Sequence, residues 1–268
     1  MGHEYPLPFS EVPASALASV RVIASDVDDT LTRGGEIPSE VIAALERLRN
    51  TGIDVLLVTG RSFGWGLAEK LYFPVSGVIA ENGGVWIRNS RKMSDIYFHG
   101  EKNMEDFREI RRRMRKCLLE IGKSIPGTIE AVDNAGRITD LSFSITQDVD
   151  YTAAYGIAGE HGFEMFISSV AGHVTIPGVS KGNMLEHALR KGYGIDSFPT
   201  DQVLAIGDST NDAALFDRKR FSLSVGVANV EPYLDALGEN APVFLTAGSA
   251  HAGFLEVASA LLNRTPRQ

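Results

Sequence analysis

Four short stretches of the chain carry residues whose types and spacing could do chemistry. "SDVDDT" puts Asp26, Asp28 and Asp29 directly after an apolar run at 20–24. "TGR" ends a second apolar run with Thr59, Gly60 and Arg61. "VSKGN" sets Lys181 at a predicted helix start, and "GDSTND" carries Asp208, Asn211 and Asp212 after a third run. Like charges crowded at the end of a buried strand are costly, so a need must hold them there.

If these runs are parallel neighbours in one sheet, their carboxyl ends meet, where open α/β sheets place their ligands. Asp26, Asp28, Asp208 and Asp212 then converge with the Thr59 hydroxyl and the Lys181 ammonium. Such a set of carboxylates suits a hard divalent cation, Mg²⁺ above all, which takes carboxylate and water oxygens and shares them with a phosphate. The ammonium, the hydroxyl and nearby backbone N–H groups suit phosphate oxygens. Phosphoryl transfer needs positioning and charge neutralisation above all. One Asp can attack phosphorus and form an aspartyl-phosphate. A second carboxyl can give a proton to the leaving oxygen and later take one from water.

Taken singly, each stretch has a plainer explanation. An Asp after a strand is often a turn former or a helix cap. Lys181 alone reads as a surface lysine, and "TGR" alone carries no signal. The weight lies in all four occurring in this order, each on the element that would bring it to the same place.

Those elements follow from the apolar pattern. Residues 20–25 read as a short buried strand and 38–51 as a helix with Val41, Ile42, Leu45 and Leu48 on one stripe, ended by Gly52. A strand at 53–59, a weaker helix at 62–71, a strand at 77–80 and the turn "ENGG" come next. This alternation, with continuously apolar strands, marks a parallel sheet covered on both faces. After Trp86 the rhythm changes. An amphipathic helix at 104–122 precedes strands at 127–132 and 138–145, a helix at 148–161, and strands in "FEMFIS" and "GHVTIP". That order predicts an α+β insert with an antiparallel sheet. From Lys181 the first rhythm returns: helix 181–191, strand 202–208, helix 211–218, strand "SLSVGVA" and a last helix at 251–262. Residues 1–19 read as a loose leader.

The bulk numbers exclude several classes. The 268 residues are 44% hydrophobic and 22% charged, enough for one large domain or two smaller ones. A net charge of −8 argues against nucleic acid, which needs a basic surface. "RRRMRK" at 111–116 lies opposite the apolar stripe of its helix and reads as a solvated face. A lone cysteine, Cys117, forbids an internal disulfide and a cysteine-rich zinc site. No stretch has the roughly 18 apolar residues of a membrane span, and the first residues lack a signal peptide's pattern. The expected setting is the cytoplasm, and the expected assembly a monomer or homodimer. Neither a G-x-x-x-x-G-K-[ST] loop nor a G-x-G-x-x-G after a strand is present.

"DVDDTLT", "VTGR", "VSKGNML" and "IGDSTND" resemble the four motifs of the haloacid dehalogenase superfamily, in its phosphatase branch. The insert resembles the cap of subclass IIB. "AENGGVW", "DVDY" at 148–151 and the spacing into "GDSTND" resemble the archaeal phosphoglycolate phosphatases, and less closely the sucrose-phosphate and mannosyl-3-phosphoglycerate phosphatases. The resemblance implies a Rossmann-like α/β core with a central parallel sheet at 20–87 and 177–268, and a cap at 88–176. It implies Asp26 as nucleophile, and Asp28 as general acid and base with its backbone carbonyl on Mg²⁺. Thr59 would hold the phosphoryl group, and Lys181 would orient Asp26. Asp208 would ligate Mg²⁺, with Asp212 doing so directly or through water. Gly60, Arg61, Asn82 and Asn211 would contact the substrate or its phosphoryl group. Asp29 departs from the pattern, since close members carry Gly there. Asp tolerates positive φ better than most residues, so the turn survives, and Asp29 is expected to bond its own loop. Ser168, Ser169 and His173 fall near strand ends of the insert. A core or surface place serves them as well as a site-facing one, so they are not counted as site residues.

The expected function is Mg²⁺-dependent hydrolysis of a small phosphorylated metabolite, a sugar phosphate or phosphoglycolate-like acid. A phosphohexomutase would share the same core and cap but return the phosphoryl group to substrate. A phosphoacceptor signalling module would use Asp26 alone, and the insert and the Asp208–Asp212 loop would be superfluous to it.

Overall fold

The apolar runs of the sequence are strands with both faces covered. In the computed structural model, which describes residues 5–146, 149–168 and 171–264, they assemble into a nine-stranded sheet and a separate three-stranded one. In chain order the first elements are β1 (Leu7–Pro8), α1 (Ala14–Ser19), β2 (Val22–Ser25), α2 (Ser39–Asn50), β3 (Asp54–Val58), α3 (Phe63–Tyr72), β4 (Gly77–Ala80), β5 (Val85–Ile87) and β6 (Ile96–Phe98). The insert follows with α4 (Met104–Ser124), β7 (Asp140–Ser144), α5 (Thr152–Glu160), β8 (Glu164–Ile167) and β9 (Ala171–Thr175). The chain closes with α6 (Lys181–Tyr193), β10 (Thr200–Gly207), β11 (Phe221–Gly226), α7 (Leu234–Leu237), β12 (Phe244–Leu245) and α8 (His251–Leu262).

The large sheet runs β1-β12-β11-β10-β2-β3-β4-β5-β6. Every pair from β1 to β4 is parallel, and β5 and β6 add an antiparallel edge. Along β3, Val55 and Leu57 join one hydrophobic cluster and Leu56 and Val58 the other. A strand buried on both faces needs apolar residues at every position, hence the continuous run rather than an alternating one. β2 has β3 on one side and β10 on the other. The chain therefore reverses its direction of winding at β2, and a crevice opens at the carboxyl ends of β2 and β10.

In the insert, β9 lies between β7 and β8, both antiparallel to it. Leu141, Phe143, Met165 and Val174 are buried on one face with Phe107, Met114, Cys117 and Leu118 of α4. α4 starts at a capping box: Asn103 accepts from Glu105 N and Asp106 N, and the Asp106 carboxylate accepts from Asn103 N. Arg112, Arg113, Arg115 and Lys116 are exposed, the solvated face expected of 111–116, but Arg111 is half-buried and donates to the Asn134 carbonyl.

Four local expectations differ from the structure. Residues 5–19 are not a loose leader: β1 pairs with β12, and Phe9 is buried in the core. The insert does not begin at residue 88 as a separate unit, because β6 hydrogen-bonds to β5 in the large sheet. The strand expected at 127–132 is reduced to one isolated bridge, Glu130 to Phe143, with Ile129 and Val132 exposed. Gly127 at φ +91° breaks its start. The helix expected at 211–218 is a single 3-10 turn, Thr210–Asp212. Among the described residues, no helix is long and apolar enough to cross a membrane.

Candidate active site

β2 ends at Ser25 and delivers Asp26 to the crevice, with its N–H bonded to the Ile206 carbonyl of β10 at 3.0 Å. The two strands thus fix the first aspartate against the strand that carries Asp208. α6 begins at Ser180, whose hydroxyl accepts from Asn183 N, and its first residue is Lys181. The Lys181 ammonium sits 2.5 Å from Asp26 Oδ1 and 2.7 Å from Asp212 Oδ1. Lys181 is 2% exposed and Asp26 4%. A close approach of backbones brings them together: a Cβ on Gly83 would lie 2.1 Å from the Ser180 carbonyl oxygen. Only glycine lets the turn after β4 pass the start of α6.

Asp212 turns back into its own loop. Its Oδ2 accepts from the N–H groups of Asp208 (3.0 Å) and Ser209 (3.3 Å). A Cβ on Gly207 would fall 2.5 Å from that carboxylate, so the glycine of "GDSTND" is the room Asp212 occupies. Asp208 accepts from Thr30 Oγ1 at 3.2 Å and Asn229 Nδ2 at 3.3 Å.

Carboxylate oxygens of Asp26, Asp208 and Asp212 lie within 4.8 Å of one another. Burial raises the Asp26 pKa well above the usual carboxylate range; Lys181 opposes this, and Asp212 and Asp208 add to it. Burial and the neighbouring Asp212 push Asp208 up to about 7. Burial works against the Lys181 charge, but Asp212 and Asp26 outweigh it and raise its pKa. Three carboxylates share one ammonium, so the cluster is short of positive charge. An all-oxygen donor set with excess negative charge fits a hard divalent cation.

The remaining expected residues divide. Asp28, Gly60, Arg61, Asn82 and Asn211 line, with Asp26 and Asp208, a cavity of about 500 Å³. Thr59 lies behind it, fully buried at the end of β3, with its Oγ1 accepting from Arg61 N at 3.0 Å. The Asp28 carboxylate is not with the other three. Arg61 holds it through Nε (2.8 and 3.1 Å) and Nη2 (2.5 Å). Asn82 has φ +54°, and its Nδ2 is buried without a protein partner. Asp29 takes the left-handed conformation, φ +55°, with its N–H donated to Thr32 Oγ1 and its carbonyl accepting from Asn229 Nδ2. It is exposed and lines the cavity, and its loop bonds run through its backbone rather than through its carboxylate.

Of the far wall of the cavity, the sequence reading named only Ser168 and His173, without counting them as site residues. Ala131, Asp133, Arg137, Ser142, Ser168, Ala171 and His173 line it from the insert. Ser169 lies outside the described residues, as does Asp148 of "DVDY". The insert is tied down beside the site. Ser62 Oγ donates to Asp133 at 2.8 Å, Arg137 Nη2 donates to the Gly60 carbonyl at 3.0 Å, and Glu81 accepts from Phe63 N, Ile138 N, Thr139 N and Thr139 Oγ1. Asn229, also unforeseen, holds Asp29, Asp208 and Ala250 N together. A signal for His173 existed: a polar residue inside an apolar β-run must face something polar.

Comparison with known proteins agrees with this layout. The model of the haloacid dehalogenase-like hydrolase family matches residues 23–151 and 157–238. A phosphoglycolate phosphatase of Nitrosopumilus maritimus is 31% identical over 87% of this chain and 91% of its own. One from Methanothermobacter thermautotrophicus is 29% identical over 82% and 90%. A solved Thermoplasma acidophilum structure superposes with TM-score 0.72 at 22% identity, covering 90% of this chain and 98% of that one. The C-terminal domain of the C. albicans trehalose-6-phosphate phosphatase does so with TM-score 0.68 at 13% identity, covering 99% and 100%.

Proposed function

The chain belongs to the haloacid dehalogenase-like hydrolases, and from that premise we propose that it hydrolyses the phosphate ester of a small metabolite through an aspartyl-phosphate on Asp26. The observation that carries this reading is the buried cluster of Asp26, Lys181, Asp208 and Asp212 at the switch point of the large sheet. The names of the relatives support phosphate monoesters, phosphoglycolate among them, as the substrate class.

Lys181 holds Asp26 Oδ1, which leaves Oδ2 to attack phosphorus as the bond to the leaving oxygen breaks. The ammonium turns the nucleophile and works against the protonation that burial favours. Asp28, two residues on, gives a proton to the leaving oxygen. It then takes one from the water that attacks the acyl phosphate and frees Asp26. In the structure Arg61 occupies both oxygens of Asp28. Arg61 must therefore let go before Asp28 can carry a proton, and an incoming phosphoryl group offers the guanidinium a better partner. Asn82, Gly60 and Asn211 would meet phosphoryl oxygens, and Thr59 would support the loop from behind. Asp26, Asp208 and Asp212, with the Asp28 carbonyl, would hold Mg²⁺. When bound it would neutralise charge between nucleophile and phosphate.

Residues of the insert act as a cap that closes the cavity and excludes water from the phosphoryl step. The cap starts past Phe98, since β6 belongs to the large sheet. Phosphate release from a panel of phosphate esters, with and without Mg²⁺, tests the reading. The wild type should be active only with the metal, and Asp26→Asn should fall by about 1,000-fold or more. Equal release by wild type and variant would remove Asp26 as nucleophile. Interconversion of hexose phosphates without phosphate release would favour a mutase instead.

A further inference from the structure

Strand alternation divides the insert's sheet into two faces. Leu141, Phe143, Met165 and Val174 point to α4 and the insert's core. The other face carries Asp140 and Ser142 of β7, Phe166 of β8 and His173 of β9, with Ser142 and Phe166 both directly opposite His173 in register. Asp140, Ser142 and His173 are all buried. A polar face on a small sheet ordinarily meets water. Here it meets the cavity that holds Asp26.

His173 is 3% exposed and lines that cavity. Its Nδ1 is 2.9 Å from Asp140 Oδ2, and its ring stacks on Phe166 with centroids 4.8 Å apart and planes 10° off parallel. Asp140 is held in turn by two bonds from Arg137 Nη1 at 2.8 and 2.9 Å. The imidazole thus cannot rotate or flip without losing an ion-paired partner. Its other nitrogen, Nε2, has no protein partner among the described residues and is not sealed among the buried unpaired atoms, so it opens on the cavity. A ring fixed at one nitrogen and across one face, with its second nitrogen unpartnered, has the form of a recognition group.

Resting on the phosphatase reading above, we propose that His173, positioned by Asp140, recognises the leaving group by a hydrogen bond from Nε2 to one of its hydroxyls. Charge selects the hydroxyl. Both cations on the leaving-group side are already committed: Arg61 passes from Asp28 to the phosphoryl group in the reading above, and Arg137 is held by Asp133 and Asp140. A carboxylate beside His173 would face Asp133 and Asp140, and Arg61 and Arg137 are the only arginine or lysine side chains that line the cavity among the described residues. A hydroxyl both gives and takes a hydrogen bond and brings no charge. The preferred ester therefore has a polyhydroxylated leaving group.

Steady-state kinetics on the Mg²⁺-loaded full chain test this with sorbitol 6-phosphate and glucose 6-phosphate as hydroxylated probes. Phosphoglycolate is the carboxylate probe, and para-nitrophenyl phosphate has a leaving group with neither. The wild type should prefer a hydroxylated ester. His173→Phe, which keeps the ring and the stacking, should lower kcat/KM on that ester roughly 10- to 100-fold, mainly through KM. It should change para-nitrophenyl phosphate less than about threefold. His173→Gln should restore part of the loss, and Asp140→Asn should reproduce the substrate-dependent pattern more weakly. Activity on para-nitrophenyl phosphate reports folding in every variant. Equal losses on all esters, or a wild type that prefers phosphoglycolate or para-nitrophenyl phosphate to both hydroxylated probes, overturns the proposal. A wild type inactive on every ester overturns the phosphatase reading itself.

Discussion

Two buried charge clusters face each other across one cavity, and they are built on opposite principles. Around Lys181, three carboxylates share a single ammonium, and burial with mutual repulsion pushes Asp26 and Asp208 up. Around Asp140, one buried carboxylate is paired with both Arg137 and His173; burial opposes its charge, but these partners outweigh it and hold its pKa below the usual value. A cluster short of positive charge is completed by what binds it. A satisfied cluster holds its members still. The first fits a site that collects a cation and a phosphate, the second a frame that aims one imidazole.

Four experiments break or sharpen that contrast. The largest effect belongs to Lys181→Met, which strands three carboxylates in the core. Activity should fall by at least about 1,000-fold, and urea unfolding should show a loss of about 3–5 kcal/mol. A variant as stable as wild type would mean that the cluster does not depend on its ammonium. Mg²⁺ titration separates the two clusters next. At a hundredfold excess over Kd the wild-type melting temperature should rise roughly 5–10 °C. Asp208→Asn should lose most of that rise, and Asp140→Asn should keep it.

Removing Asp140 leaves Arg137 half-paired in the insert, so Asp140→Asn should cost about 3 kcal/mol in denaturant unfolding. A neutral result would show that Arg137 finds enough in Gly60 and Asp133. The smallest effect concerns Glu69, beneath Arg61, which burial pushes up to about 7 against the pull of Arg61. Its raised pKa means that the folded state binds the proton more tightly than the unfolded one. The resulting stability is fully present below about pH 4.5 and is lost as pH rises through about 7. Glu69→Gln should flatten that stretch of the stability–pH curve by on the order of 2 kcal/mol. An unchanged curve would place the titration elsewhere.

The parallel sheet was legible because strands buried on two faces must be apolar throughout, and 55–58 and 203–206 are. The left-handed Asp29 was legible because few residues tolerate that conformation and Asp is one of them. The helix expected at 211–218 was not to be had from its pattern. Asp212 closes a capping box with Ser209, a local helix start, but its other oxygen is taken by the Lys181 ammonium 31 positions away, a contact no propensity encodes. Residues 5–19 looked loose because two-residue strands have no period to detect, yet β1 closes the sheet edge.

By itself the sequence determined which residues end the central strands, in what order, and that their charges need a cation and an anion between them. That much is local, since a strand's length and its last residue are set by neighbours in the chain. Only the tertiary structure decided that Arg61 clasps Asp28, that Thr59 stands behind the cavity, and that the polar face of the insert's sheet turns His173 toward Asp26's cavity. Those facts depend on how two sheets distant in sequence are docked through Glu81, Arg137 and Ser62. Docking is a sum of contacts between residues dozens of positions apart, which no periodicity along the chain records.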